Sequence, residues 1–123
     1  MIEEAYVSFE TAKLLKEKGF DEPCHYYYRN NTLMFDASIN GRNSYQHNEN
    51  IASAPTHQMA MKWLRKEHNL CIEIFVTWRD KIPHYQWRIN NLITQDTIVD
   101  TPCLEKPEQA VEAALKYAFE NLI

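Results

Sequence analysis

Only two glycines, Gly19 and Gly41, occur in the 123-residue chain. Glycine enters left-handed and close-approach conformations without steric cost, so its scarcity limits what the backbone can do. A phosphate-cradling loop or a dinucleotide fingerprint needs several closely spaced glycines, because backbone N–H groups must reach the anion unobstructed. A nucleophile elbow needs one on each side of its serine. None of these can be assembled from this sequence. The chain must turn largely on other residues, and Asn30-Asn31 is suited to that, since asparagine tolerates positive φ.

Hydrophobic periodicity sets out three helices and a set of strands. Ser8 is placed to cap a helix over about 9–18, with Val7 and Ala12 as a hydrophobic staple and Gly19 as its left-handed stop. The tyrosine-rich run Cys24 to Arg29 reads as a strand. Leu33, Phe35, Ala37 and Ile39 alternate with polar or flexible neighbours, the period of a half-buried strand. Asn40-Gly41 is a tight-turn signal, and Arg42 to His47 is expected to pair back. Asn48 to Ser53 reads as polar loop. Pro55-Thr56 opens a second helix ending near His68, with Met59, Ala60, Trp63 and Leu64 as its core face and Asn69 as its stop. Ile72, Ile74, Val76 and Trp78, then Tyr85, Trp87 and Ile89, alternate as the two arms of a hairpin joined by Arg79 to Pro83. A short strand is expected at 97–99. Pro107 is pre-shaped for a first helical position, and Ala110, Val111, Ala114, Leu115, Ala118 and Leu122 form the stripe of a third helix.

The expected fold is α+β in a single domain, 1–123. It has two layers, with an antiparallel sheet of about four to five strands and three helices mainly on one face, in the order α-β-β-α-β-β-α. A chain of this length, 45% hydrophobic and 24% charged, can bury a core without staples. No apolar run approaches the roughly 20 residues of a membrane span. The opening Met1-Ile2-Glu3-Glu4-Ala5 is acidic and lacks the apolar region of an export signal, so a cytoplasmic setting is expected. The three cysteines, Cys24, Cys71 and Cys103, are odd in number and widely spaced, which points to free thiols in a reducing compartment.

Three stretches are similar to a known group: YVSFETAKLLKEKGF (6–20), SAPTHQMAMKWLRK (53–66) and AVEAALKY (110–117). Together they resemble a family of short proteins carried by phages and prophages of gut anaerobes. The resemblance spans nearly the whole chain and is weakest over 30–50. It implies a phage or mobile-element origin and a cytoplasmic life. The family brings no catalytic or binding residues with it.

Few residues stand out chemically. Cys24-His25 suggests a thiolate–imidazole pair, but neighbours on a strand point to opposite faces. The five histidines, His25, His47, His57, His68 and His84, show no i,i+4 helical pair, and no Cys-x-x-Cys exists, so no metal or other cofactor is indicated. No pair of carboxylates is placed for acid–base work. Catalytic, cofactor and metal sites are accordingly left unassigned.

Surplus aromatics are more informative. The helices and strands supply enough apolar residues for a two-layer core, which leaves Phe75 and part of Tyr26-Tyr27-Tyr28 for the opposite sheet face. Tyr26, Tyr27, Tyr28, Phe75 and Arg88 are therefore the candidate interaction face, since tyrosine and arginine are enriched where proteins dock. The leading expectation is a non-enzymatic module that binds a protein partner or a second copy of itself as a homodimer, with no membrane association. The alternative is nucleic-acid binding. Lys62 to Arg88 carries six Lys/Arg against three Asp/Glu, and Lys62, Arg65 and Lys66 form a candidate basic patch beside Phe75 and Arg88. The net charge of −4 for the whole chain opposes that reading. An enzyme of undefined reaction ranks third. With no clustered ligand set and dispersed cysteines, the melting temperature should not move on adding a chelator or a reductant. A shift of several degrees on chelation would reveal a structural metal, whose binding energy is folding energy.

Overall fold

A computed structural model describes residues 2–37, 51–99 and 103–123. The fold is α+β: among the described residues there are three helices and six strands, the strands forming two antiparallel three-stranded sheets. By its internal contacts the chain divides into two compact units, Met1–Ala60 and Met61–Ile123, the division falling inside the second helix.

In the first unit, α1 spans Phe9–Glu17. Ser8 is extended, and its Oγ accepts the Thr11 N–H at 3.2 Å, satisfying one orphan donor of the first turn. The other end closes as a Schellman motif. Gly19 takes φ 90°, its N–H donates to Lys16 O, and the Phe20 N–H donates to Leu15 O. Leu15 and Phe20 are both buried, with Val7 and Ala12, so the cap and the core are built from one set of residues.

Strands β1 (Tyr26–Arg29), β2 (Thr32–Phe35) and β3 (Ile51–Ser53) form a sheet in the order β2-β1-β3. The β1–β2 turn is made by Asn30-Asn31, with Asn30 at φ 54°. β3 pairs with 27–29, and the Lys16 ammonium donates to its Ile51 carbonyl at 2.7 Å, tying α1 to it. Ile51, Ala52 and Ser53 are buried, although the stretch reads as polar loop. A three-residue strand is too short to show a period, and its asparagine-rich approach masks it. Leu33 and Phe35, expected in the core, are 41% and 59% exposed. Alternation fixes which residues share a face but not whether anything covers that face. Ile39, the Asn40-Gly41 turn and the 42–47 strand lie outside the described residues.

Helix α2 spans His57–His68. Thr56 Oγ1 accepts the Met59 N–H at 3.1 Å and caps its start, and Asn69 ends it at φ 57°. Met59, expected on the core face, is 40% exposed.

In the second unit, β4 (Leu70–Arg79), β5 (Ile82–Asn91) and β6 (Thr97–Val99) form a sheet in that order. The register sets Ile72 opposite Ile89 and Ile74 opposite Trp87 on one face. It sets Glu73 opposite Arg88 and Phe75 opposite Gln86 on the other. Helix α3 (Pro107–Asn121) packs on β4 and β5, with the Tyr117 ring 5.3 Å from that of Trp87. Phe119, absent from the stripe read in the sequence, is 1% exposed and meets Trp63 at 6.5 Å between ring centroids. Val76 and Trp78, expected in the core, are 45% and 70% exposed. A helix of α3's length covers about 22 Å, whereas a ten-residue strand runs about 34 Å, so the turn end of the hairpin extends past it.

The expected single sheet of four to five strands is therefore two sheets. β1 has both edges occupied, by β2 and β3, and β5 has both occupied, by β4 and β6. The hairpin turn is also tighter than expected: Asp80 and Lys81 alone make it, at φ 51° and 66°. Positive φ at both central residues is the type I′ geometry that suits the twist of a hairpin. A lysine in that conformation is strained by about 1–2 kcal/mol. Lys81→Gly should therefore stabilise the protein by up to about 1 kcal/mol in urea unfolding, once glycine's entropic cost of about 0.5–1 kcal/mol is set against the relief. A loss of stability would show that the turn is held in another conformation.

Candidate functional site

Main-chain pairing builds a recess in the first unit. Tyr6 forms an antiparallel bridge with Thr56, flanked by Val7 N–H donating to Pro55 O at 3.1 Å and His57 N–H donating to Ala5 O at 2.9 Å. Ala54 N–H in turn donates to Tyr26 O at 2.9 Å. The segment 5–7 is thus laid alongside 55–57, and the chain leading into α2 alongside β1. Beyond the β1–β2 register, Asp36 N–H donates to His25 O at 2.6 Å and prolongs that pairing.

These pairings line up aromatic rings. Tyr6 and Tyr26 have centroids 4.5 Å apart, Tyr26 and Phe35 5.1 Å, and Phe35 and His25 6.0 Å. The rings are tilted by 34–51° to one another, within the separations that aromatic pairs favour. They face a cleft of about 270 Å³, whose other walls include Pro23, Pro55 and Met59, with Glu4 among its lining residues. Burial raises the pKa of the Tyr6 phenol, and the Tyr26 phenol and the Glu4 carboxylate add to that. A negative charge at this point is disfavoured.

The thiol of Cys24 lines the same cleft, but its surroundings hold the proton on it. Sγ lies 3.6 Å from Glu22 O and 4.0 Å from Met59 Sδ. Burial, reinforced by the Glu22 carboxylate, lifts its pKa from 9.0 to about 11, while a hydrogen bond with Ser53 pulls the other way. His25 is exposed, with Nδ1 3.1 Å from Asp36 O. Cys24 is buried where His25 is exposed, so the two strand neighbours do not make a nucleophile and base. Among the described residues, no group of three or more His, Cys, Asp or Glu converges as a metal site.

The residues singled out in the sequence are dispersed. Tyr26 lines the cleft. Tyr27 is 7% exposed and contributes to the core rather than to a surface. Tyr28 is half-buried, its ring 5.5 Å from Phe9 and its hydroxyl donating to Val7 O at 2.8 Å. Phe75 and Arg88 belong to the sheet of the second unit, and Tyr26, Tyr27 and Tyr28 to that of the first. The Arg88 guanidinium lies 4.6 Å over the Phe75 ring and 3.8 Å from a Glu73 carboxylate oxygen. Asn90 bonds to Glu73 and accepts from the Thr97 hydroxyl at 2.7 Å, completing a polar ladder on that face. Lys62 and Lys66 are exposed on α2, and Arg65 is half-buried. Sequence reasoning missed Glu4, Tyr6 and Met59 as site residues. Tyr6 lies some twenty residues from Tyr26 and fifty from Thr56, and no local pattern announces such a bridge.

The raised Cys24 pKa has a sign that can be tested. Between pH 9 and about 11 the unfolded chain loses this proton while the folded chain keeps it. The contribution of Cys24 to stability is complete below pH 9 and is lost as pH rises toward 11. Cys24→Ala should flatten that part of the pH–stability curve. Iodoacetamide should label Cys24 in the folded chain far more slowly than in denaturant at pH 8. Rapid labelling at that pH would show a thiolate. In comparisons with known proteins, no family model, no curated protein and no solved structure matches the chain.

Proposed function

We propose that the protein is a non-enzymatic binding module that engages its partner through the aromatic cleft of the first unit, in a cytoplasmic setting. The observation that carries this reading is the unbroken series Tyr6, Tyr26, Phe35 and His25 along a cleft, with Phe35 left 59% exposed. Exposed aromatic surface is costly to leave in water and gains most when a partner covers it. The chemistry of the walls supports binding over catalysis. The cysteine in the cleft is kept as a thiol, and its exposed histidine neighbour lies beside Phe35 with Nδ1 against Asp36 O.

The nucleic-acid reading draws less support. A base stacking on Phe75 would have to displace the Arg88 guanidinium, which already covers that ring and is partly neutralised by Glu73. Charge near Lys62 and Lys66 remains accessible, but with the Phe75 ring already covered by Arg88 it offers only weak, salt-sensitive attraction.

The test compares affinity capture from a lysate using the wild-type chain, Phe35→Ser and Phe75→Ser. Phe35 is exposed, and serine there removes its ring pairs with Tyr26 and His25 at a cost of about 1–2 kcal/mol, which leaves the chain folded. Capture should be lost with Phe35→Ser and kept with Phe75→Ser, and absorbance at 260 nm should show no co-eluting nucleic acid. Equal capture by Phe35→Ser would remove the cleft from the interaction, and recovery of nucleic acid that Phe75→Ser abolishes would favour the second sheet instead.

A further inference from the structure

We propose that the aromatic cleft is a receptor for a quaternary ammonium group, held on the faces of Tyr6, Tyr26 and Phe35 with the Glu4 carboxylate beside it. This rests on the reading of the cleft as the binding site and names the class of ligand it takes. The charge of the walls sets the sign. Among the described residues that line the cleft, Glu4 is the one carboxylate and there is no lysine or arginine. Aromatic faces are the negative ends of ring quadrupoles, so the Tyr6–Tyr26–Phe35 series adds attraction for a cation rather than for an anion.

The kind of cation follows from what the walls lack. An ammonium or guanidinium brings three to five N–H donors, and each must find an acceptor when it leaves water. Here most of the surface facing the cleft is carbon and sulfur, from Pro23, Ala54, Pro55 and Met59 and from the rings. A fully alkylated nitrogen carries its charge without N–H groups, so the same walls cover it without orphaning a donor. Size agrees: about 270 Å³ falls below the range of about 300–1,000 Å³ usual for drug-sized ligands, and suits a head group rather than an extended molecule.

The experiment titrates the full chain with choline chloride and with 3,3-dimethylbutan-1-ol, its uncharged isostere, following the Tyr6, Tyr26 and Phe35 ring resonances by NMR. Choline should saturate the shifts and bind at least about 10-fold more tightly than the alcohol. Glu4→Gln, a change at an exposed side chain, should weaken choline several-fold and leave the alcohol unaffected. Tyr26→Leu should weaken choline while keeping the apolar wall, and Tyr26→Phe should restore it. Equal binding of the two ligands, or no binding of choline, overturns the proposal. If choline fails while Phe35→Ser still abolishes partner capture, the ligand class alone is wrong. If both fail, the cleft itself is wrong.

Discussion

The first unit depends on the main-chain pairing of residues 5–7 with 55–57. Three features follow from it. The Tyr6 bridge to Thr56 fixes the entry to α2, whose first turn Thr56 also caps. Val7, whose N–H and carbonyl are engaged by Pro55 and by the Tyr28 hydroxyl, is pinned in the core ahead of α1. Tyr6 is brought against Tyr26, and the aromatic wall exists because of that contact. Each of these hydrogen bonds is worth only about 1 kcal/mol net, yet each is made by a buried or half-buried group that would be costly to leave unpaired. The segment is therefore held by the penalty for leaving the sheet as much as by attraction to it.

The second unit is organised differently. A hairpin of two ten-residue strands supplies one apolar face, α3 packs on it, and Phe119 meets Trp63 of α2. Its other face is a polar ladder, in which Asn90 bonds to Glu73 and Thr97, and Arg88 lies over Phe75 within 3.8 Å of a Glu73 carboxylate oxygen. Such a face is covered over its aromatic ring. The cleft of the first unit is not: its rings touch one another, but Phe35 still presents most of its area to solvent. The contrast between a satisfied and an unsatisfied aromatic is what distinguishes the two surfaces as binding candidates.

Local chemistry was legible in the sequence where one residue decides the outcome. Ser8 and Gly19 delimit α1, Asn30 and Asn69 take the positive φ that turns the chain, and the alternation of Ile72 to Trp78 with Tyr85 to Ile89 foretells the β4–β5 face. The short strand at 97–99 and the helix opening at Pro107 are in place as well. The candidate site was legible only at Tyr26. Tyr27, its immediate neighbour, is core, because a strand that is central in its sheet buries one face even when both faces read as aromatic.

Backbone propensity, capping and the period of apolar residues act over a few positions, and the sequence alone determined the elements that rest on them: three helices, the main hairpin and their apolar stripes. Tertiary structure decided which strands share a sheet, which ends of the stripes stay covered, and where a cleft forms. β3 exists because Ile51–Ser53 finds the free edge of β1. Trp78 is exposed because α3 is shorter than the hairpin it covers. Tyr6 becomes a site residue through a bridge fifty positions away. These outcomes turn on edges, lengths and coverage that exist only once distant segments have met, and no window along the chain contains them.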